Sequence, residues 1–275
     1  MTDIKCSGDL FRLDGRIAVV TGGAGMLAQE FAKALLDEGA SVVLADVDGT
    51  RCEERVATIL KDRRDDTERR ALALELDVSR KDQWEKVAQQ ILRRFGKIDI
   101  LVNNAAITNA TRSEGYSADF SEFKTDDWQQ IMGVNLTGTF LGCQVVGGNM
   151  VARGKGAIIN IASLYGVTSP NHRIYGGTGV AQPVAYSVSK AGVIALTRYL
   201  ATLWAEKGVR VNSLTPGGVF DNQSESFLSR YGNLSPMGRM ADRQEMRGAL
   251  MYLASDASAY CTGHNLVVDG GWTVW

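Results

Sequence analysis

Cysteine and histidine are scarce in this chain. The four cysteines, Cys6, Cys52, Cys143 and Cys261, stand far apart with no C-x-x-C pair, and the only histidines are His172 and His264. A disulfide framework and a structural zinc site are therefore not indicated, and no metal is expected; isolated thiols suit a reducing cytoplasm. An excess of one charge is also missing. With 30 Lys and Arg against 31 Asp and Glu the formal net charge is -1, whereas a surface that tracks nucleic-acid phosphates needs a clear cationic surplus. No segment approaches the ~18 uninterrupted apolar residues of a membrane span. Met1 to Leu10 carries Asp3, Lys5 and Asp9 where a signal peptide has its apolar core. Internal repeats and low-complexity tracts are absent. These gaps predict a cytoplasmic protein with neither nucleic-acid nor membrane partners.

What is present is apolar content of 45 % over 275 residues, enough for one large core. The expectation is a single domain over 1–275 with a short leader, 1–12. Short apolar runs read as strands at Arg16–Thr21, Ser41–Ala45, Ala71–Leu76, Ile98–Val102, Gly156–Ala162, Val209–Leu214 and Asn265–Val268. Between them, helical periodicity covers Gln29 to Leu36, about Thr50 to Arg64, Lys81 to Phe95, Thr125 to Ala152, the segment after Pro183 to about Glu206, and Arg243 to Ala254. Alternating strands and helices imply right-handed crossovers, hence an α/β fold with a parallel seven-stranded sheet, doubly wound, with helices on both faces. Two connections, Thr108 to Lys124 and Ser169 to Gln182, are long and polar, as functional loops are.

The first strand runs into Gly22 and then Gly23-Ala24-Gly25-Met26-Leu27-Ala28, which fits G-x-G-x-x-[GA] with a strand before and a helix after. In that context the glycines permit a tight turn and the approach of a pyrophosphate to the backbone, the start of a Rossmann-like nucleotide site. Asp46, followed by Val47, closes the second strand about twenty residues on, where a carboxylate accepts hydrogen bonds from an adenosine ribose and repels a 2′-phosphate. NAD(H) is favoured; Arg51 leaves NADP(H) open, and a helix cap is the alternative role for Asp46 or Asp48.

The run Pro183-Val184-Ala185-Tyr186-Ser187-Val188-Ser189-Lys190 opens a small-residue helix. Positions four apart stand about 6 Å apart along the axis, so Tyr186 and Lys190 share a face. An ammonium about 4–5 Å from the phenol, at an effective dielectric of ~20, would lower its pKa by roughly two to three units. That would make Tyr186 a proton carrier. Alone, the pair also fits a half-buried tyrosine beside a snorkelling lysine.

Taken in order, the glycine turn, Asn103-Asn104-Ala105-Ala106, Asn135, Ser163, Tyr186-x-x-x-Lys190 and Pro216-Gly217 resemble the short-chain dehydrogenase/reductase family, from about Leu13 to Trp272. The resemblance implies a secondary alcohol/ketone oxidoreductase using NAD(P). Tyr186 would be the acid/base, Lys190 the cation that lowers its pKa and holds the nicotinamide ribose, and Ser163 the hydroxyl that steadies the substrate oxygen. Asn135 would order a proton-relay water. Asp77 and Val78 would contact adenine, Asn104, Ala105 and Ala106 would line the ribose, and Pro216, Gly217, Gly218 and Val219 would edge the nicotinamide. Family members pair through the helices matching Thr125 to Ala152 and the Tyr186 helix, and through the last strand, which implies a homotetramer or, failing that, a homodimer.

Three features depart from the family pattern. Met26 and Ala28 stand where the turn usually has glycines, and Asp221 replaces a threonine beyond Pro216-Gly217. Ser163 and Tyr186 are twenty-three positions apart instead of about a dozen. The added residues around 169–179 should overhang the site, with Arg173, helped by Asn171, His172 or Tyr175, contacting a polar or anionic part of the substrate; a solvated surface loop is the alternative. The overhang and the tail Gly270 to Trp275 are similar to family members from bacterial surface-sugar and flagellin-modification pathways, which points to a sugar-derived alcohol. An NAD-retaining epimerase or dehydratase, or an NAD sensor without turnover, are the competing readings.

Overall fold

The computed structural model describes residues 6–61, 70–108, 116, 118–176 and 182–275. Strands β1 (Ile17–Thr21), β2 (Ser41–Asp46), β3 (Ala71–Glu75), β4 (Ile100–Asn103), β5 (Gly156–Ile161), β6 (Val209–Pro216) and β7 (Asn265–Val268) form one sheet in the order β3-β2-β1-β4-β5-β6-β7. Every pairing is parallel. All residues of β1 and β4 are buried, as expected of central strands covered on both faces. The strand order reverses between β1 and β4, and the crevice beyond their carboxyl ends is where such sheets bind ligands.

Helices α1 (Met26–Asp37) and α9 (Arg247–Ala254) cover one face, burying Phe31, Leu35, Leu250 and Leu253 in one apolar cluster. On the other face, α3 (Lys81–Phe95) and α7 (Val184–Trp204) add Trp84, Ile91 and Leu200 to a second cluster. The predicted long helix is one continuous rod of α4 (Thr125–Met132), α5 (Gly138–Gly142) and α6 (Gly148–Arg153), joined by π turns at Gly133–Thr137 and Cys143–Gly147. Its junction residues are all right-handed helical, so the chain does not bend away from the sheet.

Helix α2 covers Gly49–Lys61, and the end of the helix predicted to Arg64 lies outside the described residues, as do 1–5 of the leader, 109–115 and 117 of the first long loop, and 177–181 of the second. Helix α1 starts at Met26, three residues earlier than its apolar periodicity suggests, because Gly25 already stands at its N-cap. A short helix that the periodicity does not predict, α8 (Glu225–Gly232), is capped by Ser224, whose hydroxyl accepts the Phe227 N–H at 3.4 Å. Only Tyr231 in it is buried, which is why no apolar repeat betrays it. Among the described residues no helix is long and apolar enough to cross a membrane.

Candidate active site

The site is built at the strand reversal, and Thr21 at the tip of β1 is its fastener. Its hydroxyl oxygen accepts the N–H groups of Asn104 at 3.0 Å and Ala105 at 3.1 Å, while the Asn104 amide donates to the Thr21 carbonyl at 2.9 Å. Gly22 follows with φ of +67°, and a Cβ there would stand 2.9 Å from Ala105 Cα. Both the left-handed backbone and the close approach require glycine. The turn closes with Gly25 N–H donating to Gly22 O at 2.9 Å. Gly25 supplies no side-chain cap to α1, so the first N–H groups of a 12-residue helix point into the crevice for a ligand to satisfy. Met26 and Leu27 lie within that first turn, and Ala28 is fully buried against the core. A methyl is thus accommodated where the family pattern has a glycine.

Asp46 braces this turn: its carboxylate accepts the Ala24 N–H and the Asp48 N–H, each at 3.0 Å. From α2, Arg55 donates to the Ala24 carbonyl at 3.2 Å and to Gln29 Oε1 at 3.3 Å. The Ala24 peptide is therefore held at its N–H by an anion and at its carbonyl by a cation. Arg55 belongs to no motif legible in the sequence; it lies nine positions past Asp46 with no local signal. Arg51, the cation that the sequence alone brings forward, is exposed and 4.0 Å from Asp48.

Val47 is 68 % exposed at the rim, a flat apolar surface of the kind an adenine covers. Asp77 accepts the N–H (2.9 Å) and hydroxyl (2.7 Å) of Ser79, which fixes the turn carrying the buried Val78. Across the crevice, Gly217 N–H donates to Val268 O at 2.9 Å and Gly218 N–H to the Tyr231 hydroxyl at 2.6 Å, while Val219 bridges to Ala241. Ala106 follows Ala105 on the segment held by Thr21. The uncapped helix start, the side-chain-free turn and the rim carboxylate fit a dinucleotide. Among the described residues no group of three or more His, Cys, Asp or Glu is placed to hold a metal.

The residues expected to handle the proton stand just past β5 and on α7. Ser163 follows β5, and its hydroxyl oxygen accepts the Tyr165 N–H at 3.2 Å. Tyr186 is half-buried on α7; burial pushes its pKa up and the neighbouring Ser163 side chain pulls it down. Lys190 is 3 % exposed and donates to Ile161 O at 2.7 Å. Burial lowers its pKa to about 8. Its Nζ lies 5.8 Å from the centre of the Tyr186 ring. Tyrosine and lysine therefore share a face as the spacing requires. The Lys190 ammonium is turned to the Ile161 carbonyl, and the largest influence on the Tyr186 phenol is burial, which raises its pKa where the spacing alone predicts a lowering.

Asn135 is fully buried in the first π turn. Its Oδ1 accepts the Ile107 N–H at 2.7 Å, and its amide donates at 3.3 Å to Ile107 O and to Ser189 Oγ. Ser189 in turn donates to Tyr186 O at 2.7 Å. The Asn135 side chain thus ties the Ala105-Ala106 segment to the helix that carries Tyr186.

In the overhang, Asn171 Oδ1 accepts the Arg173 N–H at 3.1 Å, and Arg173 and His172 are exposed. Tyr175 is 8 % exposed and its hydroxyl lies 2.5 Å from that of Tyr165. It belongs to an aromatic cluster with Tyr165, Tyr231 and Trp272, against which Tyr186 packs. Of the two residues predicted to meet substrate, Arg173 is at the surface and Tyr175 is inside this wall. Trp272 is core, stacked on Tyr231 at 4.4 Å between ring centres, while Trp275 is 77 % exposed.

A family described as enoyl-(acyl carrier protein) reductase matches residues 23–273. The D-threitol dehydrogenase of Mycolicibacterium smegmatis is 35 % identical over 272 residues, covering 96 % of this chain and 95 % of that protein. A short-chain type dehydrogenase/reductase from Mycobacterium marinum superposes with a TM-score of 0.85 at 31 % identity, over 98 % of this chain and 99 % of the other. A gluconate 5-dehydrogenase from Burkholderia cenocepacia, solved with NADP and tartrate, superposes with a TM-score of 0.84 at 32 % identity, over 97 % and 98 %. Sequence match and shared topology run nearly end to end, and on them the chain belongs to the short-chain dehydrogenase/reductase family.

Proposed function

We propose that this protein interconverts a secondary alcohol and a ketone on a small polyhydroxylated substrate, with NAD(H) as the preferred cofactor. The observation that carries the reading is Tyr186, half-buried near Ser163 with the Nζ of the buried Lys190 5.8 Å from its ring centre, at the edge of the dinucleotide crevice. Members of the family bind NAD(P), which supplies the hydride acceptor or donor. The chain's own residues handle the proton. Tyr186 takes it from, or returns it to, the substrate oxygen, and Ser163 directs its hydroxyl at the same atom. Lys190, cationic at neutral pH given a pKa of about 8, favours the phenolate.

Threitol and gluconate in the names of the relatives support a polyol or sugar acid as substrate. Asp46 at the end of β2 supports NAD(H). Arg55 beside the same turn, with NADP in the gluconate 5-dehydrogenase structure, makes NADP(H) the second reading. Incubation of the protein with either cofactor and a panel of polyols, sugars and sugar acids, followed at the nicotinamide absorbance band, tests both. Net reduction of NAD is expected, with kcat/KM higher than for NADP; product without net reduction would indicate epimerisation, and tight binding without product a sensor. Arg173→Ala should raise KM for the sugar acids alone. Tyr186→Phe should lower kcat by about 10²–10⁴ and leave dinucleotide affinity in place, and unchanged turnover would remove Tyr186 from its role.

The apolar surface of the paired helices, Phe140 on α5 with Val188, Tyr199 and Leu203 on α7, is exposed in one copy and supports a homotetramer. Sedimentation at micromolar concentration should find four copies together; a clean monomer rejects this. The four cysteines, all free thiols, support a cytoplasmic setting.

A further inference from the structure

The residues inserted between Ser163 and Tyr186 build something definite. Tyr165, two positions past Ser163, donates its backbone N–H to the Ser163 hydroxyl at 3.2 Å. Its phenol, 7 % exposed, is held by Tyr175 with 2.5 Å between the hydroxyls. Nearby, the Tyr116 hydroxyl donates to the Gln182 side-chain oxygen at 3.2 Å. Tyr116 has no solvent exposure.

A buried pair of hydroxyls therefore links the end of the insertion to the residue whose N–H meets Ser163. Its members are polar groups in apolar surroundings, where losing a partner is costly. The Tyr165 N–H occupies an acceptor site of Ser163 Oγ and so helps set where the serine proton points.

We propose that Tyr165 and Tyr175 are positioning residues: their paired hydroxyls hold the Tyr165 N–H that orients the Ser163 hydroxyl toward Tyr186 and the substrate oxygen. This rests on the alcohol/ketone reading above. The insertion then serves proton chemistry through Ser163, independently of any contact Arg173 makes. The titratable groups around Tyr186 are Lys190 and the phenols Tyr165 and Tyr175, with Tyr231 in the same cluster. The phenols are held neutral by burial, so at neutral pH the tuning of Tyr186 falls to Lys190 and the Ser163 side chain.

Tyr175→Phe keeps the ring and removes the hydroxyl. With the best substrate of the panel, it should lower kcat about tenfold with dinucleotide KM unchanged, and move the acid limb of kcat/KM to higher pH. In a Ser163→Ala background the same change should move neither. The double variant Tyr165→Phe/Tyr175→Phe should be no worse than either single, since no buried phenol is left alone. Should Tyr175→Phe fold poorly, Tyr165→Phe removes the other hydroxyl of the pair and should shift the limb in the same direction. The Tyr186 pKa, read by NMR of ring-labelled tyrosine, gives a measure that needs no turnover: it should rise in Tyr175→Phe and in Ser163→Ala, and no further in the combination. A loss of melting temperature alone, with kcat, acid limb and Tyr186 pKa unmoved, would overturn the proposal, as would additive effects in the Ser163→Ala background. If the wild type turns over nothing in the panel, the alcohol/ketone reading fails, and the NMR titration still decides the positioning.

Discussion

The two sides of the crevice are made of different material. On the nucleotide side the surface is backbone: the turn from Gly22 to Gly25, the start of α1 and the Asn104-Ala105 peptide, held by Thr21, Asp46 and Arg55 through bonds to N–H and carbonyl groups. On the substrate side the wall is side chain. Tyr165, Tyr175, Tyr231 and Trp272 meet from four separate segments, with Tyr175 also 5.6 Å from Phe227 between ring centres. The Tyr231 hydroxyl, bonded to Gly218 N–H, reaches from the aromatic wall to the segment that follows β6. A backbone surface tolerates almost any side chain that points away and none that points in. A side-chain wall tolerates changes of backbone path but depends on volume and hydroxyl partners.

That contrast breaks most visibly at Gly22. Gly22→Val adds a left-handed φ to a Cβ 2.9 Å from Ala105 Cα, at a combined cost on the order of 4 kcal/mol, and should abolish dinucleotide binding. Gly148, on the helix surface with no heavy atom within 4 Å of where a Cβ would stand, is the control: Gly148→Ala should be neutral or stabilise by about 0.5–1 kcal/mol. Denaturant midpoints and cofactor titration measure both, and equal behaviour of the two glycines would erase the distinction.

On the other side the sensitive element is a charge. Lys190 has a folded pKa of about 8 against its usual 10.5, so between those values the unfolded chain binds more protons than the folded one. Burial of the ammonium therefore costs stability in full below about pH 8, and the cost fades as pH rises toward 10.5. Relative to Lys190→Met, the ligand-free protein should gain up to roughly 3 kcal/mol across that window. Paired denaturation curves at about pH 7 and about pH 10 would show it, and parallel curves would mean the lysine is not desolvated.

The smallest effect sharpens the nucleotide side. Thr21→Val keeps the shape but removes the acceptor shared by the Asn104 and Ala105 N–H groups, at about 2 kcal/mol. Amide hydrogen exchange at those two residues should speed up while the aromatic wall keeps its protection; uniform loss of protection would mean that the two sides do not act separately.

The difference in material also explains what is legible in the sequence. The glycine turn, Asp46, Asn104 and the Tyr186 to Lys190 spacing are local patterns, each readable within a few residues, and the fold brings them around one crevice. Helix α8 escapes because a single buried residue leaves no period. Arg55 and Thr21 escape as site residues because their partners lie 31 and 83 positions away in sequence. Tyr175 reads as a substrate contact because a tyrosine in a polar loop offers no sign of which way it faces. Spacing along a helix specifies that Tyr186 and Lys190 share a face but not how dry that face is, nor that Ile161 O accepts from the ammonium.

By itself the sequence determined the seven strands and their parallel winding, and it placed Tyr186 and Lys190 on one helix face, because strand and helix periodicity and short turns are properties of neighbouring residues. Only the tertiary structure decided the surroundings of Ser163, the dryness around Tyr186 and Lys190, and the paired hydroxyls of Tyr165 and Tyr175 behind them. Those depend on solvent exclusion and on partners brought together from distant parts of the chain, which local pattern does not encode.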